Sequence, residues 1–423
     1  MRVIAVNRYY RPDGSPTSRL LTDVAERCAA DGLDVTVITG RRGYRTGGRI
    51  GRGRETIGGV DVRRVTTSGL RRHRLVGRAI DDATFHLAAF LAILTVARSG
   101  DVVIAKTDPP LLCLAAWAAA ALRGARLVNW CQDVFPEVAA ALGVGHAGGR
   151  LGAGLRWLRN RCCGAAAFNA VLSPAMRDVL VAQGVAPGKL RVLPNWCEVG
   201  LTPVARATNP LRAAWGLGES IVIGYSGNLG RAHGPERIAD LVVATRSVGG
   251  LAWLFVGGGA GMAAVAARAA AAGVRNVQFR PYQPSERLSL SLSAADIHLI
   301  SLDPACEGLI VPSKYYGVLA VGRPLLFLGA PSGAIAGEIV RHRLGRVLPC
   351  DAPETWAGAV SALADEIRTA PERLATDVLR RHGDCSPGLA VDRWVAALRA
   401  LEAPSRAPDF AAEDPYGRAE PSR

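Results

Sequence analysis

Residues 300–324 read ISLDPACEGLIVPSKYYGVLAVGRP and contain the pattern that decides the fold. An apolar, β-prone run, Ile297–Leu302, stops at the turn-forming pair Asp303-Pro304. Pro312 suits the first turn of a following helix, because backbone N–H groups in that turn have no hydrogen-bond partner within the helix and the missing N–H of proline costs nothing. A second apolar run, Leu325–Leu328, follows the helix. The stretch predicts a strand, a helix and a second, parallel strand.

Ser313 and Lys314 fall in the first turn of the predicted helix. That turn has unpaired backbone N–H groups and the positive end of the helix dipole, which together favour an anion. Lys314 adds a positive side chain. The pattern predicts a phosphate-binding βαβ unit, and an ordinary crossover with a lysine on its surface is the alternative that the motif alone leaves open.

The chain has 423 residues, of which 49% are hydrophobic, so it is long enough for two or three domains with their own cores. Its net charge of +15 comes almost wholly from arginine, since the only lysines are Lys106, Lys189 and Lys314. A basic chain can bind nucleic acid, an anionic membrane or a phosphorylated substrate. Zinc-finger spacing and interleaved aromatic and basic residues are absent from the sequence, so no specific nucleic-acid partner is expected.

The nine cysteines are scattered without a C-x-x-C pair, which predicts neither a metal site nor a disulfide framework. Such a chain suits a reducing compartment. Met1–Asn7 does not resemble a signal peptide, because it is short and leads directly into a loop. A cytoplasmic location is therefore expected.

A basic cluster, Arg71–Arg74, precedes the longest apolar run, Phe85–Arg98. The run is shorter than the ~20 apolar residues that a membrane-spanning helix needs. A basic cluster beside an apolar helix favours docking on the anionic inner face of the plasma membrane. The alternative is a buried helix beside a solvated basic loop.

The first part of the chain has the element order of a Rossmann-like domain, predicted for residues 1–197. A strand at Arg2–Asn7 leads through a loop with Gly14 into a helix at Ser18–Asp31 and a strand at Asp34–Thr39. Because glycine lacks a Cβ, the Gly14 loop can approach a phosphate or a sugar closely. The loop is not a G-x-G-x-x-G, so a dinucleotide is disfavoured, and a plain turn is the alternative.

Two acidic residues, Asp133 and Glu137, follow the predicted strand Leu127–Trp130. Ligands of open α/β sheets bind at the carboxyl ends of the strands. Asp133 and Glu137 are therefore candidates for acid–base work or for binding sugar hydroxyls. The alternative for Asp133 is that it caps the next helix.

A polar, proline-containing linker is predicted for residues 198–220. A second Rossmann-like domain is predicted for residues 221–385, and an amphipathic helix for residues 386–402. Residues 403–423 are rich in proline, alanine and charge, which predicts a disordered tail.

A glycine-rich loop follows the first strand of the second domain and contains Gly227, Asn228, Arg231 and His233. This loop and Ser313-Lys314 both lie at the carboxyl ends of strands in one predicted sheet. They can therefore converge on one pyrophosphate.

With these motifs in place, the chain resembles the family 4 retaining glycosyltransferases of the GT-B fold over about residues 1–400. It looks most like the WbuB-like branch, whose members make bacterial surface polysaccharides such as O-antigen and colanic acid. Six segments carry the resemblance: Asp13–Pro16, Asp108–Pro110, Gln132–Glu137, Tyr225–Gly230, Pro312–Lys314 and Ala320–Pro324.

The resemblance implies an α/β chain of two Rossmann-like domains with the active site in the cleft between them. It implies a nucleoside-diphosphate-sugar donor, UDP-linked and bound without a metal, in the second domain. It also implies a lipid-linked or glycan acceptor in the first domain and a C-terminal helix that packs back on that domain.

The reaction implied is transfer of a hexosyl unit, N-acetylated or not, with retention. Arg231 and Lys314 would stabilise the leaving diphosphate. Asp133 and Glu307 would hold sugar hydroxyls or stabilise the positive character of the anomeric carbon.

The chain departs from the family pattern at two glutamates that usually stand before and within the helix preceding the Gly-x-Pro segment. Leu309 and Gly317 occupy their places. Glu307 can take the role of the first glutamate from two positions earlier, or it can be a solvated turn residue. The ribose contact expected of the second glutamate is missing or is supplied from elsewhere.

The phosphate loop departs from the pattern as well. Asn228 and His233 replace the usual Arg/Lys pair, which leaves Arg231 as the nearest cation. These departures keep two other functions open. One is a UDP-sugar 2-epimerase of the same fold, which needs no acceptor, and the other is a non-catalytic sugar-binding scaffold.

Overall fold

A computed structural model describes residues 1–44, 47–70, 75–144 and 148–402, and it divides the chain into two compact units. Unit 1 comprises Met1–Pro194, Leu309–Val311 and the described residues from Gly388, and unit 2 comprises Asn195–Gly308 and Pro312–Pro387. The basic cluster Arg71–Arg74 and the predicted tail, residues 403–423, lie outside the described residues.

Unit 1 is built on one eight-stranded sheet. Its strands are β1 (Arg2–Val6), β2 (Asp34–Gly40), β3 (Arg54–Ile57), β4 (Val60–Val65), β5 (Val102–Lys106), β6 (Arg126–Trp130), β7 (Phe168–Val171) and β8 (Leu190–Val192). Its helices up to Pro194 are α1 (Pro16–Ala30), α2 (Leu75–Val96), α3 (Leu112–Arg123), α4 (Glu137–Ala141), α5 (Arg150–Ala165) and α6 (Pro174–Ala182). The order is β3-β4-β2-β1-β5-β6-β7-β8, and β3 pairs with β4 in the antiparallel direction while the other neighbours are parallel.

The central strands of this sheet are covered on both faces, since Val3–Val6 of β1 and Val102–Lys106 of β5 are all at most 2% exposed. Ile4 and Val6 of β1 and Val103 of β5 pack with Phe85 of α2 and Ala116 of α3. This double coverage is why the strands appear in the sequence as continuous apolar runs rather than as alternating ones.

Helix α2 starts at Leu75, ten residues before the predicted start at Phe85. Asp81 and Asp82 make the first half look polar, but both pair with Arg8, at 3.0 Å for Asp81. In the part of the chain that the structure describes, Val76–Val96 is long and apolar enough to cross a membrane by length and composition, and 28% of its apolar window is buried. The prediction that this apolar segment is too short to span is therefore wrong.

Unit 2 is built on a six-stranded parallel sheet. Its strands are β9 (Ile221–Asn228), β10 (Leu251–Gly258), β11 (Val277–Arg280), β12 (Ile297–Ser301), β13 (Leu325–Gly329) and β14 (Gly345–Pro349). Its helices are α7 (Pro210–Ala214), α8 (Pro235–Ala244), α9 (Ala260–Ala271), α10 (Leu288–Ser293), α11 (Lys314–Ala320), α12 (Ala334–His342), α13 (Trp356–Thr369) and α14 (Pro371–Asp384). The order is β11-β10-β9-β12-β13-β14, which confirms the predicted β12–α11–β13 unit with parallel strands.

Residues 198–220, predicted as a linker, lie inside unit 2. Asn209 caps α7 through its side chain, which accepts from the backbone N–H of Leu211 at 3.0 Å. Arg212 is 5% exposed, and its guanidinium bonds the Asp296 carboxylate at 3.0 Å. This buried pair fixes the segment against the sheet, although its sequence is polar and contains prolines.

The last described helix, α15 (Pro387–Arg399), has nearly all its residues in unit 1. Trp394 is fully buried. Its ring lies 4.1 Å from that of Trp130 and 6.4 Å from that of Phe168, between ring centroids. These contacts cover the ends of β6 and β7.

We expect Trp394→Ala to destabilise unit 1 by about 3–5 kcal/mol, because it removes a buried indole from a close-packed aromatic cluster. Leu389→Ala is the control on the same helix, since Leu389 is 46% exposed, and it should change the free energy of unfolding by less than about 0.5 kcal/mol. Denaturant unfolding followed by tryptophan fluorescence measures both. Equal effects would show that α15 does not complete the core of unit 1.

Candidate functional site

The loops that follow β9 and β12 meet at the carboxyl edge of the sheet in unit 2. The backbone N–H of Asp303 donates to the carbonyl of Ala232 at 2.8 Å. The Asp303 carboxylate pairs with the Arg237 guanidinium at 2.7 Å, and His233 Nδ1 lies 2.7 Å from the carbonyl oxygen of Ser301. The two loops therefore come together, as the sequence predicts.

Tyr225 is the centre of this edge, although no role was predicted for its side chain from the sequence. The residue is fully buried. Its hydroxyl donates to the carbonyl of Asn228 at 3.1 Å and accepts a hydrogen bond from Lys314 Nζ. The Lys314 amine also lies 3.7 Å from the ring centroid, and the His233 ring approaches edge-on at 6.2 Å between centroids. Three predicted site residues, Asn228, His233 and Lys314, therefore lie around the Tyr225 side chain. The sequence signal that could have identified Tyr225 is an aromatic residue in a strand of mostly small and β-branched residues.

Lys314 is half-buried and opens α11. Desolvation lowers the pKa of its amine well below the ordinary lysine value. The hydroxyl and ring of Tyr225 stand beside it where water would surround an exposed lysine. An anion bound at this edge would favour the charged form of the amine.

Helix α11 begins two residues later than the sequence predicts, so Pro312 does not open it. The preceding segment is extended, because Ile310 forms a β-bridge with Asp133 and the Leu309 carbonyl accepts from the backbone N–H of Val134 at 2.9 Å. Ser313 is the exposed N-cap, and its side chain makes no capping bond.

Two glycine loops pack against each other at the ends of β9 and β10. Gly257 pairs with Gly227 in the sheet register, and a Cβ on Gly257 would overlap the Gly227 carbonyl. A Cβ on Gly259 would lie 2.6 Å from the Leu229 carbonyl oxygen. Both Gly257 and Gly259 have positive φ, at 138° and 111°, so only glycine fits. No part in the site was predicted for this second glycine loop from the sequence.

Gly227 has a φ of 117°, and a Cβ there would meet no atom within 4 Å. Asn228 beside it is exposed. The backbone at this point is therefore open to a ligand on one side, while the second glycine loop supports it on the other.

His233 and Arg231 differ in charge. Burial and the nearby Lys314 amine lower the pKa of His233 to about 3, so its imidazole is neutral at physiological pH. Arg231 is exposed, and its guanidinium has no hydrogen bond or ion pair with any residue that the structure describes. Arg231 is thus the permanently charged group of this loop.

Glu307 is held by a helix rather than by solvent. Its Oε1 accepts from the backbone N–H of Ala334, the first residue of α12, at 2.8 Å. Desolvation raises the pKa of the carboxyl, and hydrogen bonds from the backbone of Ala334 and Gly308 oppose that rise. The alternative of a solvated turn residue is wrong, because Glu307 is half-buried and bonded at the helix N-terminus.

Asp133 lies in unit 1, just beyond the end of β6. Burial and the neighbouring Asp108 raise the pKa of its carboxyl to about 6. It lines a narrow, mostly apolar cavity of about 30 Å³ with Thr107, Leu111 and Cys131 among others. It does not cap α4, whose N-cap is Pro136, so the capping alternative is wrong.

Gly14 also lies in unit 1 and is exposed. A Cβ there would meet nothing within 4 Å, and its φ is not in the left-handed region. The backbone does not require glycine at this position, and the predicted ligand contact at Gly14 stays a prediction.

Comparison with known proteins connects this geometry to an enzyme class. A family model described as a glycosyl transferase 4-like domain matches residues 17–196. WcaI of Escherichia coli K12, described as a colanic acid biosynthesis glycosyl transferase, is 28% identical over 76% of this chain and 82% of its own. WbjE of Pseudomonas aeruginosa, described as a glycosyltransferase, is 24% identical over 79% of this chain and 83% of its own.

Solved structures show the same fold. Alr3699/HepE of Anabaena, in complex with UDP and glucose, superposes with a TM-score of 0.70 at 13% identity, over 95% of this chain and 99% of that one. WaaG, a glycosyltransferase of lipopolysaccharide biosynthesis, superposes with a TM-score of 0.67 at 16% identity, over 93% of this chain and 99% of that one.

The small number of lysines allows a direct test of the Lys314 environment. In protein labelled with ¹³C at lysine Cε, we expect the Lys106 and Lys314 resonances to titrate well below the ordinary lysine pKa of about 10.4, because burial disfavours both charged amines. Single Lys→Arg variants assign the signals. Tyr225→Phe should move the Lys314 resonance and leave that of Lys106 in place. If Lys314 titrates at the ordinary value, its amine is not enclosed by Tyr225.

Proposed function

We propose that the chain is a glycosyltransferase that transfers a hexosyl unit, N-acetylated or not, from a UDP-sugar with retention of configuration. The GT-B fold supports this proposal, as does the similarity to glycosyltransferases such as WcaI. The acceptor is a lipid-linked saccharide or a glycan. The reaction takes place in the cytoplasm, at the inner face of the plasma membrane, and needs no metal ion.

The observation that carries this proposal is the convergence of Lys314, Tyr225 and the open Gly227 backbone at one sheet edge. A diphosphate placed there lies beside the Lys314 amine and within reach of exposed Arg231. When the bond to the sugar breaks, negative charge grows on the leaving diphosphate. Cations and backbone N–H groups already in position lower the energy of that charge.

The role of Lys314 couples binding to protonation. The pKa of its amine is lowered in the protein alone, and a bound diphosphate would raise it by opposite charge. Donor binding would thus restore a charged ammonium next to the leaving group. The neutral His233 adds no charge, so the electrostatic work falls to Lys314 and Arg231.

Asp133 and Glu307 complete the proposal. Asp133 holds hydroxyls of the transferred or accepting sugar in unit 1. Glu307, bonded to the N-terminus of α12, supports the end of β12 and orients a sugar hydroxyl with its remaining carboxylate oxygen. A carboxylate in either role can also stabilise positive character at the anomeric carbon.

The experiment that tests the function is release of nucleoside diphosphate from a panel of nucleotide sugars, with and without membrane extract as the acceptor source. Acceptor-dependent release of UDP supports the proposal. Free sugar epimer formed without any acceptor would identify a 2-epimerase, and donor binding without turnover would identify a scaffold. Product analysis by NMR then gives the anomeric configuration.

Lys314→Ala should lower kcat with the true donor at least tenfold, a loss of about 1.4 kcal/mol of transition-state stabilisation. Mutations at comparable charge-stabilising donors cost about 10²–10³ in rate. Lys189→Ala removes a lysine from unit 1 and should leave kcat within about twofold. Steady-state kinetics with saturating acceptor measures kcat for both variants. If kcat falls less than tenfold in Lys314→Ala, Lys314 does not stabilise the leaving diphosphate.

The pH profile should report Asp133. Its pKa is raised to about 6, so it gains a proton as the pH falls through 6, and kcat/KM should fall with it. Asp108→Asn removes the negative neighbour that helps raise this pKa, so the acid limb should move to lower pH. Asp133→Asn should give a low kcat/KM that no longer falls as the pH drops through 6. An acid limb that neither variant moves would mean that another group controls it.

A further inference from the structure

The solvent side of α2 is an apolar stripe, formed by Val76, Ile80, Ala83, Leu87 and Leu91. These residues recur at spacings of three and four, which places them on one face of the helix. All are exposed in unit 1, Leu87 by 61% and Leu91 by 53%. Scattered exposed apolar residues are ordinary on a protein surface, whereas a row of them along one helix face over four turns marks a contact surface.

The opposite side of α2 is fixed in the core. Phe85, Ala89 and Ile93 are fully buried against the sheet, and Asp81 is held by Arg8 at 3.0 Å. The helix therefore cannot leave unit 1 to cross a bilayer without opening this core. Its length and composition allow it to lie in a bilayer surface instead.

A second exposed apolar group, the Trp157 patch, lies on α5 and consists of Leu151, Trp157 and Leu158. Trp157 is 59% exposed, and the Arg161 guanidinium lies 5.3 Å from its ring centroid. Helices α2, α3 and α5 share one apolar cluster on the same side of the sheet. A tryptophan beside an arginine is the composition that favours the headgroup level of a membrane.

The charge on these helices indicates which partner binds the apolar stripe and the Trp157 patch. Helix α5 has no acidic residue in its sequence and carries exposed Arg161. On α2, exposed Arg78 is positive, while Asp81 and Asp82 are paired with Arg8. A second copy of the chain would bring the same positive charges together. An anionic surface is complementary to them.

We propose that the apolar stripe and the Trp157 patch form a docking face on which unit 1 lies on an anionic phospholipid bilayer. The apolar stripe enters the boundary between headgroups and acyl chains, and the arginines meet lipid phosphates. The proposal deepens the proposed function, because a lipid-linked acceptor is presented at such a surface, but its evidence is independent of the donor site.

The test is flotation or sedimentation of the full-length protein with vesicles of phosphatidylethanolamine and phosphatidylglycerol, and with vesicles of phosphatidylcholine alone. Wild-type protein should bind the anionic vesicles more tightly. Leu87→Gln combined with Leu91→Gln should weaken that binding about tenfold or more, because two exposed leucines no longer enter the bilayer. Arg78→Gln combined with Arg161→Gln should reduce the preference for anionic lipid.

The matched control changes two equally exposed residues on unit 2, Val199→Gln and Val340→Gln, at 69% and 71% exposure. It should bind vesicles like the wild type. Unchanged binding by the Leu87/Leu91 variant, or no binding by the wild type, overturns the proposal. Loss of a dimer in light scattering when Leu87 and Leu91 are replaced, without vesicle binding, also overturns it in favour of self-association.

Thermal unfolding shows whether each variant is folded, and the chosen side chains are exposed, so all should melt like the wild type. UDP release with a soluble acceptor separates the two proposals. Vesicle binding without UDP release would remove the proposed function and leave the docking face. UDP release without vesicle binding would remove the docking face and leave the proposed function.

Discussion

The contact between the Lys314 amine and Tyr225 is the interaction on which the candidate site depends. It joins the start of α11 to the middle of β9, and the same phenol bonds the carbonyl that ends β9. A lysine in this position is unfavourable while it is charged and without an anion, because desolvation lowers its pKa. The site therefore gains most from a ligand with concentrated negative charge. The two glycine loops also favour an anionic ligand, since their close approach leaves the Gly227 backbone uncovered on its ligand side.

The surroundings of the two missing glutamates explain their absence. Leu309 belongs to an apolar cluster of unit 1 with Val134 and Leu180, and a Cβ on Gly317 faces the side chains of Leu292 and Leu201. An unpaired carboxylate among such groups costs free energy, or it is protonated. Glu307 is different, because the N-terminus of α12 supplies a backbone donor and a favourable dipole. Of the carboxylates considered for this segment, the chain has Glu307, which a helix end solvates.

The sequence predicts the sheets better than the site. Strands such as β1, β5 and β13 are apolar runs whose burial on both faces leaves a local signal. Helix α5 could not be predicted, since its many glycines and arginines hide the apolar periodicity of a helix. Buried Arg159 is stabilised by Glu137, which lies outside the helix. The start of α2 was missed because its acidic pair is neutralised by Arg8, more than seventy positions away. Glycines and Lys314 mark the candidate site in the sequence, but Tyr225 gains its importance only from contacts that folding creates.

Unit 1 combines Met1–Pro194 with helix α15, which lies almost two hundred positions later in the chain, and this has a consequence for its synthesis. The ribosome releases β6 and β7 long before it makes α15, so Trp130 and Phe168 emerge without the indole that covers them in the finished protein. Unit 2 is complete in sequence once Pro387 has been made, just before the rest of α15. Unit 2 can thus fold before unit 1, whose core is completed only when α15 has been made. Chaperones that shield exposed aromatic surface have their natural period of action in that interval.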